Sequence, residues 1–339
     1  MSTHLVNKPF KLELDPKEYI CNLRLTYDEF LSFEDIHVEE QQTRTGTWKL
    51  SSISLAIASM PQPPDEPMSY LVRLSSISDL YDEILPPKLV LSLDMYRNYC
   101  PATDHLFGYL KEQNLLLQGF NKSWQSLPFK PYGGLSSWIY IISGKLEIYL
   151  LPATKLNMLK YLTSEDFTTS ELESFKTESE TNLQLLEENN FLMIPAGYIF
   201  LIKATENTFV LRSEYLDEAN LFQQLSQFEN DTTDNDVYVG TRDRDIRYLY
   251  WFFAAKCLKN PNKSALMSCD DESLCKLRNV LMKWFHRENS SEKYVPAGLR
   301  AYRLTRALRD FAYRRSKRTN DTHCGDDSSP SIQDDMMED

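Results

Sequence analysis

Two blocks of alternating residues constrain this chain more than any other feature. Apolar and polar residues alternate from Ser136 to Ile142 and again from Lys145 to Leu151, with Ser143-Gly144 between them, which predicts two β-strands joined by a tight turn. The stretch Phe191 to Leu216 repeats the pattern around a Pro195-Ala196-Gly197 turn. Side chains alternate between the two faces of a strand, so each block offers an apolar face to bury. Together they predict the two halves of one double-stranded β-helix, a jelly roll.

Helical patterns surround the blocks. A strand is expected at Tyr70 to Leu74, a helix over Lys88 to Tyr99 ending before Pro101, a helix over Asp104 to Glu112 and a strand from Asn114 to Phe120. Lys155 to Leu162 reads as a helix through Leu156, Leu159 and Leu162. Ser164 to Asn190 reads as an acidic insertion or lid, helical from Glu171 to Lys176 and otherwise mobile. Further helices are expected at Asp217 to Phe228, Arg242 to Leu258, Glu272 to His286 and Ala297 to Arg315. The one from Arg242 is apolar on most faces, the mark of a buried helix.

The expected fold class is α+β, a jelly roll flanked by helices with a C-terminal helical subdomain. Residues 1–69 form an N-terminal segment with a capping-box helix at Thr26 to Phe33 and a stiff connector at Pro61 to Pro67. Residues 70–228 form the jelly-roll domain, 229–318 the helical subdomain, and 319–339 an acidic tail expected to be disordered. The tail contains Ser329-Pro330, a candidate phosphorylation step.

Composition excludes several classes. The chain has 339 residues, 42% of them hydrophobic and 25% charged, which fits an ordinary globular protein able to bury a core. It lacks an apolar run of about eighteen residues, so no membrane helix is expected. The opening MSTHLVNKPFKLELDPKEY has no apolar centre of a secretory signal, which predicts an intracellular protein. Six scattered cysteines without a C-x-x-C pair predict reduced thiols and no zinc module.

The net charge of -12 argues against general affinity for nucleic acid, but base is gathered near the C-terminus. Lys293, Arg300, Arg303, Arg306, Arg309, Arg314, Arg315, Lys317 and Arg318 stand against one acid, Asp310. Three-residue spacing spreads these arginines around about half of a helix, leaving Leu304, Leu308 and Phe311 for packing. Contact with DNA phosphates and a nuclear import signal at residues 314–318 are the functional readings. A solvated helix balancing the acidic surface is the plain one.

Three runs carry a family resemblance: Gly133 to Trp138, Leu150 to Thr154 and Ile194 to Ile199. In order and spacing they resemble the JmjC domain, a cupin-like fold, and above all the branch of JmjC histone lysine demethylases associated with PHD and F-box modules. Tyr70 to Pro101 and Asp243 to Cys257 fit the same branch, so the likeness covers roughly residues 70 to 258. The resemblance implies Fe(II), 2-oxoglutarate and O2, with iron held by two histidines and a carboxylate. Here the implied ligand positions are Phe129, Pro131 and Phe200. Register slips cannot restore the set, because the histidines are His4, His37, His105, His286 and His323.

The implied cofactor site is altered as well. The lysine expected to meet the distal carboxylate of 2-oxoglutarate falls at Leu146, and Lys145 should point to the other face. A hydroxyl remains at Ser126, while Arg212 and Ser213 stand where small residues are expected beside the metal, available to fill the old cavity. No bound cofactor is therefore expected.

The leading functional expectation is a catalytically inactive, nuclear JmjC-like scaffold bound to chromatin proteins or histones, in a heterochromatin or anti-silencing role. DNA contact through the basic helix and self-association stay open as partner modes, and no membrane partner is expected. The alternatives are an active demethylase with a non-standard site and a cupin-like binding protein without a chromatin link.

Overall fold

The computed structural model describes residues 8–13, 37–42, 48–52, 69–74, 87–100, 115–162, 167–232, 241–259, 269–286 and 300–320. The expected helices at 26–33 and 104–112, the connector at 61–67 and the tail from 321 lie outside the described residues. Two units divide the chain: Met1–Ser92 with Glu112–Tyr215, and Leu93–Lys111 with Leu216–Asp339. The sequence-based boundary at 228 falls inside a helix of the second unit.

The first unit is the jelly roll. Its strands are β1 (Phe10–Glu13), β2 (His37–Gln42), β3 (Trp48–Ser52), β4 (Ser69–Leu74), β5 (Leu115–Phe120), β6 (Ser136–Ser143), β7 (Lys145–Pro152), β8 (Asn182–Glu187), β9 (Asn190–Ile194), β10 (Tyr198–Ala204) and β11 (Thr208–Tyr215). The larger sheet runs β1-β9-β6-β11-β5-β4-β2-β3 and the smaller runs β10-β7-β8, with every ladder antiparallel. Each sequence block sends one strand of its hairpin to each sheet, β6 and β7 from the first, β9 and β10 from the second.

One apolar core joins the sheets. Phe120, Ile139, Ile141, Leu192, Ile194 and Val210 from the larger sheet pack with Leu146, Ile148, Leu150, Leu186, Phe200 and Ile202 from the smaller. Alternation puts these residues on the inward faces, and removing that hydrocarbon from water is the main drive for closing the roll. The turn that folds β6 onto β7 depends on Gly144, whose φ is 86°. A Cβ there would lie 2.3 Å from the Asn207 carbonyl oxygen.

One sequence expectation needs correction here, and two elements gain detail. The acidic insertion is structured: Thr168 caps helix Thr169–Thr177 in a capping box with Glu171, and Asn182–Glu187 is β8, paired with β7. Its serines, threonines and glutamates read as a mobile loop, yet Phe175 and Leu186 are both buried anchors. The helix at 155–161 buries Asn157 and Tyr161, whereas Leu156 and Leu159 are 73% and 58% exposed. The N-terminal segment contributes β1, β2 and β3 to the larger sheet.

We label the helices α1 (Lys88–Leu93), α2 (Met95–Tyr99), α3 (Lys155–Tyr161), α4 (Thr169–Thr177), α5 (Leu221–Asp231), α6 (Thr241–Lys259), α7 (Asp271–His286) and α8 (Ala301–Asn320). The predicted helix over 88–99 is broken at Asp94, which caps α2 by accepting the Tyr96 N–H at 2.9 Å. In the second unit α6 is buried along most of its length, through Ile246, Leu249, Tyr250, Trp251 and Phe253. Phe228 of α5 and Trp284 of α7 meet edge to face with ring centroids 5.7 Å apart.

Candidate functional site

The segment before the GG turn runs along β10 as an irregular extra strand. Ser123 N–H donates to Ala204 O at 2.9 Å, Ser126 N–H to Ile202 O at 2.8 Å, and Phe129 and Phe200 exchange backbone bonds at 3.0 and 2.8 Å. Phe129 and Phe200 are therefore direct antiparallel partners. Their rings stack at a tilt with centroids 4.2 Å apart, and Phe200 is buried in the barrel core.

Three motif runs converge beside this pair. Pro131 is buried and leads into a 3-10 turn at Tyr132–Gly134, where Gly133 and Gly134 have φ of 71° and 73°. That left-handed backbone suits glycine, which has no Cβ to clash. Ser136 Oγ accepts the Ala196 N–H at 3.0 Å in a buried bond. Ala153 N–H donates to Gly197 O at 2.7 Å.

The donor set does not fit iron. Phe129, Pro131 and Phe200 offer no ligating side-chain atom at the three implied ligand positions. Among the described residues no group of three or more His, Cys, Asp or Glu could hold a metal ion.

The remaining site residues are distributed as follows. Leu146 is buried in the barrel core opposite Ala204. Lys145 lies on the outer face, with Glu187 at 3.5 Å and Glu206 at 3.6 Å. The Ser126 hydroxyl accepts the Ile202 N–H at 2.9 Å, so it is engaged in holding the extra strand. Trp124 packs on Phe120 with centroids 4.5 Å apart. Arg212 faces inward beside Val210, its guanidinium 5.8 Å from the Phe129 ring centroid, while Ser213 turns to the opposite face. Burial pushes the Arg212 pKa down, against the opposing field of Glu214.

Sequence reasoning missed the buried polar cluster of the helical unit. Asp94 and Asp217 form an isolated antiparallel bridge and are 3% and 0% exposed. Asp217 accepts the Ala219 N–H at 2.8 Å and the Asn220 amide, and Tyr250 donates to Gln224 at 3.3 Å. Tyr99 donates to Glu218 at 2.6 Å. Asp217 stood at the start of a helical pattern, the usual place for a capping carboxylate, whereas Asp94 lay inside the helix read over 88–99 and gave no such signal.

The basic residues gather on α8. Leu304 and Leu308 are buried, whereas Arg303, Arg306, Arg309 and Arg314 are exposed and Arg300 is half-buried at the helix start. Arg309 bonds Asp310 at 3.2 Å and Arg306 approaches it at 4.0 Å. Arg315, Lys317 and Arg318 continue the helix beyond the residues whose side chains are described. No helix among the described residues is long and apolar enough to cross a membrane.

No family model matches the chain. It is 24% identical over 144 residues to human lysine-specific demethylase 7A, covering 42% of this chain and 15% of that protein. It is 23% identical over 240 residues to zebrafish lysine-specific demethylase 7B, covering 66% of this chain and 40% of that one. The chain thus spans less than half the length of each of these relatives. Among solved structures, the ribosomal oxygenase YcfD of Escherichia coli aligns with 13% identity and a TM-score of 0.32, over 82% of this chain and 63% of its own. The roll has a JmjC/cupin-like jelly-roll fold, and its sequence is similar to the lysine-specific demethylases at 23–24% identity.

Proposed function

We propose that this chain is a catalytically inactive JmjC-like protein of the nucleus that acts as a chromatin-associated scaffold, in heterochromatin or anti-silencing control. The observation that carries the reading is the stacked pair of Phe129 and Phe200, which puts hydrocarbon at positions implied to ligate iron. Burying aromatic surface there favours stability of the roll over the open, polar coordination that iron chemistry needs. On this reading the protein uses neither Fe(II) nor 2-oxoglutarate, and its relation to the demethylases is one of inherited shape.

The exposed arginines of α8 are the proposed contact for histone-bound or DNA-bound partners, and residues 314–318 the proposed import signal. The test is affinity purification from the cells that make the protein, comparing wild type with R303Q/R306Q/R309Q/R314Q. These changes spare Leu304 and Leu308, so the helix keeps its packing. Recovery of histones or heterochromatin proteins with wild type, and their loss with the variant, is the expected result. Recovery of cytoplasmic proteins alone contradicts the proposal.

A further inference from the structure

Helix α8 exposes two aromatic side chains in line with its arginines. Tyr302 and Tyr313 are 63% and 61% exposed, and no other aromatic side chain among the described residues stands in solvent to that degree. At about 100° of turn per residue, Tyr302, Arg306, Arg309 and Tyr313 fall within an arc of about 60°. They form one stripe, clear of the side that buries Leu304 and Leu308. Arg303 and Arg314, both exposed, flank it. Two tyrosines sharing a stripe with cations differ from scattered surface residues, which need no explanation.

Asp310 is the one acid among the described side chains of α8. It meets Arg309 at 3.2 Å and approaches Arg306 at 4.0 Å. Both pairs are exposed and therefore weak, so a phosphate can take over either arginine. The face as a whole stays positive, with Arg303, Arg306, Arg309 and Arg314 against that single carboxylate.

We infer that the Tyr302 to Tyr313 stripe of α8 binds a single-stranded nucleic acid. The arginines meet the phosphates, and each tyrosine offers a flat face on which an unpaired base stacks. A duplex keeps its bases inside its own stack and uses only the arginines, and an acidic peptide offers charge but no base. The tyrosines lie about 16 Å apart along the helix axis, the rise of about five stacked nucleotides. The inference rests on the proposed contact role of the α8 arginines and adds the kind of strand they hold.

The test is fluorescence anisotropy of four labelled probes with the full chain over a range of salt: a short oligothymidylate, an oligouridylate, a DNA duplex of equal length and an oligoglutamate. The single strands should bind, about tenfold or more tighter than the duplex or the oligoglutamate. Y302A/Y313A should weaken the single strands about fivefold or more and leave duplex binding and the salt dependence unchanged. Both tyrosines are exposed, so this variant keeps the packing of Leu304 and Leu308. Y302F/Y313F keeps the ring faces and should bind within about twofold of wild type. R306Q/R309Q should weaken the single strands and the duplex, and lower the slope of log affinity against log salt for the single strands by about 1.4. The inference is overturned if the single strands do not bind, if the duplex or the oligoglutamate binds as tightly, or if Y302A/Y313A binds unchanged. An effect of R306Q/R309Q without one of Y302A/Y313A overturns it while sparing the proposed contact through the arginines; no effect of either variant removes both.

Discussion

Ser136 and Ala196, sixty residues apart in the chain, are joined by a buried hydrogen bond of 3.0 Å from the Ala196 N–H to the Ser136 hydroxyl. The bond ties the first residue of β6 to the turn between β9 and β10, and so links the two hairpins of the roll. Removing the hydroxyl leaves that N–H buried without a partner, at a cost of about 1–3 kcal/mol. S136A is therefore expected to lower the urea midpoint without changing the slope. An unchanged midpoint would show that the hairpins are linked by hydrocarbon packing alone.

Phe200 and Phe129 should differ in stability although they touch. Phe200 is 1% exposed in the barrel core, and F200A should cost about 3–5 kcal/mol. Phe129 is only partly buried, so F129A should cost less. Equilibrium denaturation of both variants measures the order, and the reverse order would contradict the placement.

Gly144 and Lys145 are neighbours with opposite expectations. G144A forces a Cβ into the Asn207 carbonyl on a left-handed backbone and should cost ~2 kcal/mol or more. K145A removes two exposed ion pairs and should change stability by less than about 1 kcal/mol. Thermal unfolding of the two variants side by side tests the contrast.

The helical unit should prefer mildly acid conditions. Burial raises Asp94 from 3.8 to about 6 and Asp217 from 3.8 to about 7, against the hydrogen bonds each accepts and the Arg97 charge near Asp94. Glu218, itself raised by burial, and the neighbouring Asp94 add to the rise at Asp217. Both carboxyls hold their protons more tightly when folded. Their stabilisation is complete below the unfolded value of 3.8 and is lost as pH rises through about 6 to 7. The rise at Asp94 alone corresponds to ~3 kcal/mol. D94N keeps an acceptor for the Tyr96 N–H and should flatten the decline in stability between about pH 4 and 6; an unchanged decline there would exclude Asp94 as its source.

Much of the roll was legible because strand periodicity and turn chemistry agreed. Alternation around Ser143-Gly144 and around Pro195-Ala196-Gly197 marked β6, β7, β9 and β10, and glycine or proline marked the turns between them. β8 was hidden because Asn182–Glu187 is an edge strand with Leu183 and Leu185 exposed, so its pattern does not alternate cleanly. In α3 the leucine spacing suggested a buried stripe, yet Tyr161 outweighs it by packing on Phe175 at 4.9 Å and donating to Glu178 at 2.8 Å. Phe129 and Phe200 could be named from motif order, but their pairing depends on the extra strand along β10, which no local pattern encodes. The inward direction of Arg212 follows from its register with Ile139, and is visible once β11 and β6 are paired.

The most direct measurement is mass spectrometry of a trimethyl-lysine histone peptide incubated with the purified full chain, Fe(II), 2-oxoglutarate and ascorbate, with succinate release followed in parallel. The account predicts no demethylated peptide and no succinate above a protein-free control. Demethylation, or succinate release that is lost in S126A, would contradict it and return the chain to the active oxygenases.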